Sequence, residues 1–207
     1  RSGWKYIECQ RSSKPYRYTR INHNRSVMKK SKPWTIERVA KEYLPFFTKF
    51  GVTESEIYKL YHSWDLTQKK DIKDFVWYLF QSILENVGRS SSSLTELHSK
   101  QKEIYSQMLF FRRKFYKAKA NEILQLFLES DIESHFAETS LILKIEIISG
   151  YCCPYCNELN GKVFSYKEVM ENKYLGSQKC TNELGCNCTY AFQPQRDKNG
   201  RLILRES

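Results

Sequence analysis

The chain has 207 residues, 41% of them hydrophobic and 28% charged, which is enough apolar material for one large or two small domains and excludes a disordered or low-complexity chain. Lysine and arginine number 34 against 23 acidic residues, a net charge of +11; residues 1–34 hold ten of the basic residues against Glu8 alone, and the remainder is close to neutral with 24 against 22. No apolar run approaches the roughly 18 residues that a membrane-spanning helix needs.

In chain order, residues 1–34 read as a basic arm in which Trp4, Tyr6, Tyr16, Tyr18 and Trp34 interleave with Lys and Arg, although the stretch from Trp4 to Ile7 would also serve as an edge strand. From Ile36 the apolar period is helical, through Val39, Ala40, Tyr43, Leu44 and Phe47, with a kink expected at Pro45 and a stop at Gly51. Thr53-x-x-Glu56 is a capping box opening a short helix to about Trp64. Another helix is expected from about Asp71, with Ile72, Phe75, Val76, Leu79, Phe80, Ile83, Leu84 and Val87 on one broad core face, stopped by Gly88.

Residues 89–93 read as a flexible linker, and Ser93-x-x-Glu96 as the next capping box. One long helix is expected beyond it, with Ile104, Met108, Phe111, Phe115 and Ala118 as a packing seam and Arg112, Arg113, Lys114, Lys117 and Lys119 on a solvated face. The stretch from Leu141 to Ile148 reads as a strand, Ser165-x-x-Glu168 caps a short helix, and Thr189 to Phe192 and Leu202 to Leu204 form a hairpin across Asp197-Lys-Asn-Gly200. The predicted fold is therefore mainly α, a helical body with a long helix, plus a small C-terminal α+β module of short strands. Its segments are the arm 1–34, a helical domain 35–88, the linker, the long helix 94–138 and a cysteine-rich module 139–207.

Six of the seven cysteines fall between positions 152 and 188, with Cys9 alone outside. A disulfide scaffold spreads its cysteines through a small chain that lacks a core, whereas these sit at one end of a chain rich in apolar residues. Zinc takes four soft ligands tetrahedrally, and Cys153-Pro-Tyr-Cys156 presents two thiolates from one turn. The sequence therefore predicts one structural zinc, with disulfides and inert or redox thiols as the alternatives. Cys153 and Cys156 form the first ligand pair. Cys180 and Cys186 form the second, with Cys188 in competition, because Cys186 and Cys188 share one face of a strand. Cys152 faces away if its neighbour is a ligand. The histidines, His23, His62, His98 and His135, are scattered outside the cluster and read as ordinary surface or helix residues.

The run Ile148-Ser-Gly-Tyr-Cys-Cys153-Pro-Tyr-Cys156-Asn-Glu-Leu159-Asn-Gly161-Lys162-Val-Phe164, closed by Cys186-Asn-Cys188, resembles the C-terminal module of phage Mu F-type head-morphogenesis proteins. In that family a strand runs into Cys-x2-Cys, then Leu-x-Gly-Lys-x-Phe, then a His-Pro-x-Cys-Arg-Cys element. Here the His-Pro is missing, and Cys180 with the insert from Thr181 to Gly185 stands in its place, so the histidine ligand passes to a cysteine. The match covers about 50 residues of the module; residues 1–90 carry no such resemblance. It implies a structural protein of capsid assembly, associated with DNA packaging or entry.

The functional expectation is a non-enzymatic, zinc-stabilised interaction protein of head-morphogenesis type, in the cytoplasm or a virion, with a protein partner in an assembly. The first alternative is nucleic-acid binding through the arm, with Arg17, Arg20, Lys29 and Lys30 on phosphates and the aromatic rings on unpaired bases. The second is a nuclease or toxin enzyme. Against it, the sequence has no His-Asn-His or His-Glu-x-x-His pattern and no Gly-rich phosphate loop, so no catalytic residue is assigned. Glu171-Asn-Lys173 fits a carboxylate-x-lysine nuclease element but reads as a solvated ion pair.

Overall fold

The structure is a computed structural model and describes residues 34–68, 71–116, 119–150, 153–183 and 185–205. Among these residues the chain forms seven α-helices and one three-stranded antiparallel sheet, a mainly helical fold with a small C-terminal sheet. Helix α1 (Ile36–Phe47) begins at Thr35, whose hydroxyl accepts from the Arg38 N–H. Val39, Ala40, Tyr43 and Phe47 form its buried face. Pro45 lies within its last turn, and a 3-10 turn (Thr48–Phe50) then closes on Gly51 in the left-handed region at φ 80°.

The capping box expected at Thr53 is formed, with the Thr53 N–H donating to Glu56 at 2.7 Å and the Glu56 N–H to the Thr53 hydroxyl at 3.3 Å. Helix α2 (Glu54–Gln68) runs a turn beyond Trp64. Helix α3 (Ile72–Ser90) is capped by Asp71 and buries Phe75, Val76, Leu79, Phe80, Ile83 and Val87. It passes through Gly88 rather than stopping there. The Ser91 N–H and hydroxyl both donate to the Val87 carbonyl, at 3.1 and 2.8 Å, so the serine-rich linker becomes a short hydrogen-bonded turn.

The single long helix expected over 94–138 is two helices, α4 (Leu94–Tyr116) and α5 (Asn121–Glu138). They lie antiparallel: the Thr95 hydroxyl donates to the Ala137 carbonyl at 3.5 Å, and Lys102 pairs with Asp131 at 3.2 Å. A straight helix over that stretch would be about 67 Å long and would leave its apolar seam in water. Folding back instead buries Ile104, Met108 and Phe111 of α4 with Ile123, Leu124, Leu128 and Ile132 of α5. Phe111 also joins Tyr43 of α1 and Phe80 of α3 in an aromatic cluster, with ring centroids 5.8 and 5.9 Å away.

Strand β1 (Leu143–Ile148) is the centre of the sheet, flanked by β2 (Val163–Phe164) and β3 (Thr189–Pro194). Leu143, Ile145 and Ile147 alternate into the core, and Ile145 lies opposite both Phe164 and Phe192. Between β1 and β2 lies the short helix α6 (Pro154–Glu158); between β2 and β3 lies α7 (Tyr166–Asn172), started by the expected Ser165–Glu168 capping box. The Tyr166 hydroxyl donates to Glu133 at 2.5 Å, and Phe192 stacks on His135 at 4.0 Å, which seats the module on α5.

The C-terminal hairpin is only partly as expected. The Asp197–Gly200 turn forms, but the returning chain makes isolated bridges, Leu202 to Arg196 and Leu204 to Leu141, the latter extending past β1. Buried apolar residues make one continuous cluster from Val39 to Tyr190, so helices and module share a core. Among the described residues, no helix is long and apolar enough to cross a membrane.

Candidate metal centre

The first thiol pair is built by a helix start. β1 ends at Ile148, and the Ser149 N–H and hydroxyl donate to Asn160 and Asn157 at 2.8 and 2.9 Å, tying the strand exit to the far side of α6. Cys153 is the N-cap of α6, with Pro154 at the first helical position, and its sulfur accepts the Cys156 N–H at 3.3 Å. Leu159-x-Gly161-Lys162-x-Phe164 then returns the chain to the sheet. The Gly161 N–H donates to the Ile147 carbonyl at 2.8 Å, the Ile147 N–H to the Lys162 carbonyl at 3.0 Å, and Gly161 has φ 75°. The second set follows α7: Cys180 closes a turn on Ser177, Gly185 closes one on Asn182, and Cys186 and Cys188 lead into β3.

All five thiols predicted as ligands come together in the interior, none more than 5% exposed. Cys153, Cys156 and Cys180 form one group and Cys156, Cys186 and Cys188 another, the sulfurs of each lying within 4.8 Å of one another. Cys156 belongs to both and is fully buried. The Cys156 and Cys186 sulfurs are 3.6 Å apart. That is close to the edge of about 3.8 Å of a tetrahedron with 2.3 Å zinc–sulfur bonds. It is far from the roughly 2.05 Å of a disulfide, and all five cysteines are free. The donor set is chemically fit for a soft metal ion: five buried sulfurs in two groups that share Cys156.

Proton affinities are unequal across the cluster. Burial drives the Cys156 thiol far up, helped by its bond to Cys153 and the nearby Cys186 charge. The Cys188 contact and burial do the same to Cys186. Cys180 is pushed up to about 11 by burial, against the Asn182 N–H, which favours its thiolate. Burial also opposes the Cys153 thiolate, but the Cys156 and Thr181 N–H groups and the neighbouring thiols outweigh it, and its pKa falls. Cys188 is lowered by its bond with Cys186 and, against burial, by the Gly150 N–H 3.4 Å away. Without a cation the cluster therefore retains protons. A bound dication would displace them, so uptake strengthens as pH rises.

The closing loop is docked on the helical body at the α4–α5 elbow. Arg113 of α4 donates from Nη2 to the Cys186 carbonyl at 2.7 Å, and Asn121 at the start of α5 donates to the Ser177 carbonyl at 3.3 Å. Burial lowers the Arg113 pKa, while the Cys186 and Cys180 charges favour its cation. A Cβ on Gly176, at φ 70°, would stand 3.1 Å from Gln125 Cγ and 3.2 Å from the Asn121 carbonyl oxygen. One on Gly185, at φ 90°, would stand 3.2 Å from Asn121 Oδ1.

Arg113 and Asn121 are the site residues that sequence reasoning missed. Arg113 sits in a basic run that reads as solvated surface, and only the two loop glycines hint at a close approach. Two others of that run are also engaged, Arg112 over the Tyr116 ring at 5.0 Å and Lys114 with Glu42 at 3.4 Å, while Lys117 and Ala118 lie outside the described residues. Glu171 and Lys173 do not pair with each other: Glu171 meets Lys167 at 3.8 Å, and Lys173 meets Glu129 at 2.6 Å. Cys9, Cys152, Arg17, Arg20, Lys29 and Lys30 lie outside the described residues. Comparison with protein families, curated proteins and solved structures found no match.

Proposed function

We propose that the cluster is a structural zinc centre and that the chain is a non-enzymatic interaction module of head-morphogenesis type, working within a protein assembly. The observation that carries the first half is the donor set: thiols only, all buried, from two chain segments, the second of which is bonded to the helical body by Arg113 and Asn121. Four thiolates fill the shell of a tetrahedral ion and leave no position for substrate or activated water. The ion's contribution is to neutralise thiolates and fix loops whose own apolar content is small.

The assembly role rests on the resemblance in the module, and the structure gives that motif a physical sense. The strand delivers the knuckle, Leu159-x-Gly161-Lys162-x-Phe164 folds back onto it, and Cys186-x-Cys188 launches the third strand. Elemental analysis of the purified chain, with sedimentation of its native complexes, tests both halves. The expected result is about one zinc per chain in tetrathiolate coordination and co-sedimentation with capsid or portal assemblies. Metal-free protein with disulfides would refute the centre, and a free protein active as a nuclease would refute the module.

A further inference from the structure

Five thiols compete for the four positions of a tetrahedral ion, and the choice falls between Cys186 and Cys188. We infer that Arg113 of α4 commits Cys186 to the metal and leaves Cys188 as a non-ligating thiol beside it. This rests on the proposed zinc centre and assigns the residue outside it that sets its ligands.

The two cysteines are held differently. The Cys186 sulfur is 3.6 Å from that of Cys156, a spacing a shared zinc needs, and its carbonyl is fixed by Arg113 at 2.7 Å. The Cys188 sulfur shares the group with Cys156 and Cys186, and it also takes the Gly150 N–H at 3.4 Å and lies 4.0 Å from the Ser149 hydroxyl, at the exit of β1. The loop before Cys186 cannot retreat into the helices, because Gly185 already lies against Asn121 and the Arg113 Nη2, 3.2 and 3.6 Å from where a Cβ would stand.

Arg113 thus acts in two ways. Its hydrogen bond orients the Cys186 backbone so that the sulfur faces Cys156. Its charge, on a guanidinium bonded to the Cys186 carbonyl, offsets the surplus negative charge that four thiolates would place on a dication. Arg113 is a positioning residue: it touches a ligand's backbone and not the ion.

The test is zinc affinity by chelator competition, with cobalt(II) spectra to count thiolates, on the full chain and on Cys186→Ser, Cys188→Ser, Arg113→Met, Arg113→Lys and the double variant Arg113→Met/Cys188→Ser. Cys188→Ser should keep four-thiolate cobalt spectra and near-unchanged affinity, and Cys186→Ser should lose tetrathiolate binding. Arg113→Met should weaken zinc about 10–100-fold, the usual effect of removing an outer-shell partner, with Arg113→Lys between it and the parent. Once Arg113 no longer fixes Cys186, Cys188 becomes a substitute ligand, so Cys188→Ser should cost much more in the Arg113→Met background than alone. A merely structural role for Arg113 would lower stability without that coupling. Circular dichroism checks that each variant is folded before its affinity is compared. If Cys188→Ser is destructive and Cys186→Ser tolerated, or if Arg113→Met binds zinc as tightly as the parent, the inference falls while the zinc centre stands. A parent chain that takes no zinc removes both.

Discussion

The docking of the cysteine loops on α5 is testable through two glycines that share a backbone conformation and differ in surroundings. Gly176 has φ 70° and Gly200 has φ 79°, so an alanine at either carries the left-handed penalty of about 1–2 kcal/mol. Around Gly200 nothing lies within 4 Å of the added carbon, whereas at Gly176 it meets Gln125 Cγ at 3.1 Å, the Asn121 carbonyl at 3.2 Å and Leu124 Cδ2 at 3.5 Å. The glutamine can swing aside; the α5 backbone carbonyl cannot. Overpacking of that kind adds about 1–3 kcal/mol. Gly176→Ala should therefore lose about 2–5 kcal/mol and Gly200→Ala about 1–2. For a chain of this size the gap corresponds to a difference in Tm of about 2–12 °C. Urea and thermal unfolding of the parent and the two variants measure it. Equal losses at the two positions would show that the loop does not press on α5 as described, and the account of the elbow would fail with it.

Three other outcomes follow from the same contacts. Cys153→Ser keeps an N-cap for α6, a hydroxyl in place of the sulfur, but removes one thiolate of the proposed zinc site, whose binding would be worth about 10–16 kcal/mol, so hydrogen exchange should show lost protection through the sheet and α7 while α1 to α4 keep theirs; uniform loss across the chain would contradict it. Phe111→Ala empties a side chain 1% exposed that meets Tyr43, Phe80 and Phe115, and should cost about 3–5 kcal/mol in urea unfolding, with a loss under 1 kcal/mol speaking against that core. Glu96 is held down to about 2 by Lys100 and then by Ser92 at the start of α4. A lowered carboxylate stabilises the fold above its unfolded pKa of about 4.5 and loses that contribution as pH falls toward 2. Glu96→Gln should therefore flatten the acid limb of the Tm–pH curve in that window, and an unchanged limb would refute the assignment.

Local chemistry was readable in the sequence wherever it was self-sufficient. The capping boxes at Thr53 and Ser165 each need only a hydroxyl and a carboxylate three residues apart, and both form where expected, while at Ser93 the hydroxyl takes the Glu96 N–H but the Glu96 carboxylate reaches back to Ser92 instead. The broad apolar face of α3 and the alternation of β1 follow from periodicity, and the clustering of five cysteines at one site follows from their spacing in the chain. Tertiary contacts decided the rest. Nothing between Lys114 and Asn121 is a proline or a glycine, so the helical pattern runs on through the elbow. The chain turns there because α5 has two partners to cover, α4 on one side and the sheet with α7 on the other, and a straight helix would satisfy neither. Gly88 fails to stop α3 because the last turn finds its cap in Ser91. Arg113 looks like one more surface cation until the fold places the Cys186 carbonyl 2.7 Å from its guanidinium, 73 positions further along the chain. Spacing along a chain determines which residues share a turn or a face. Which distant loop a side chain reaches is set only when burying the apolar surface brings the two together.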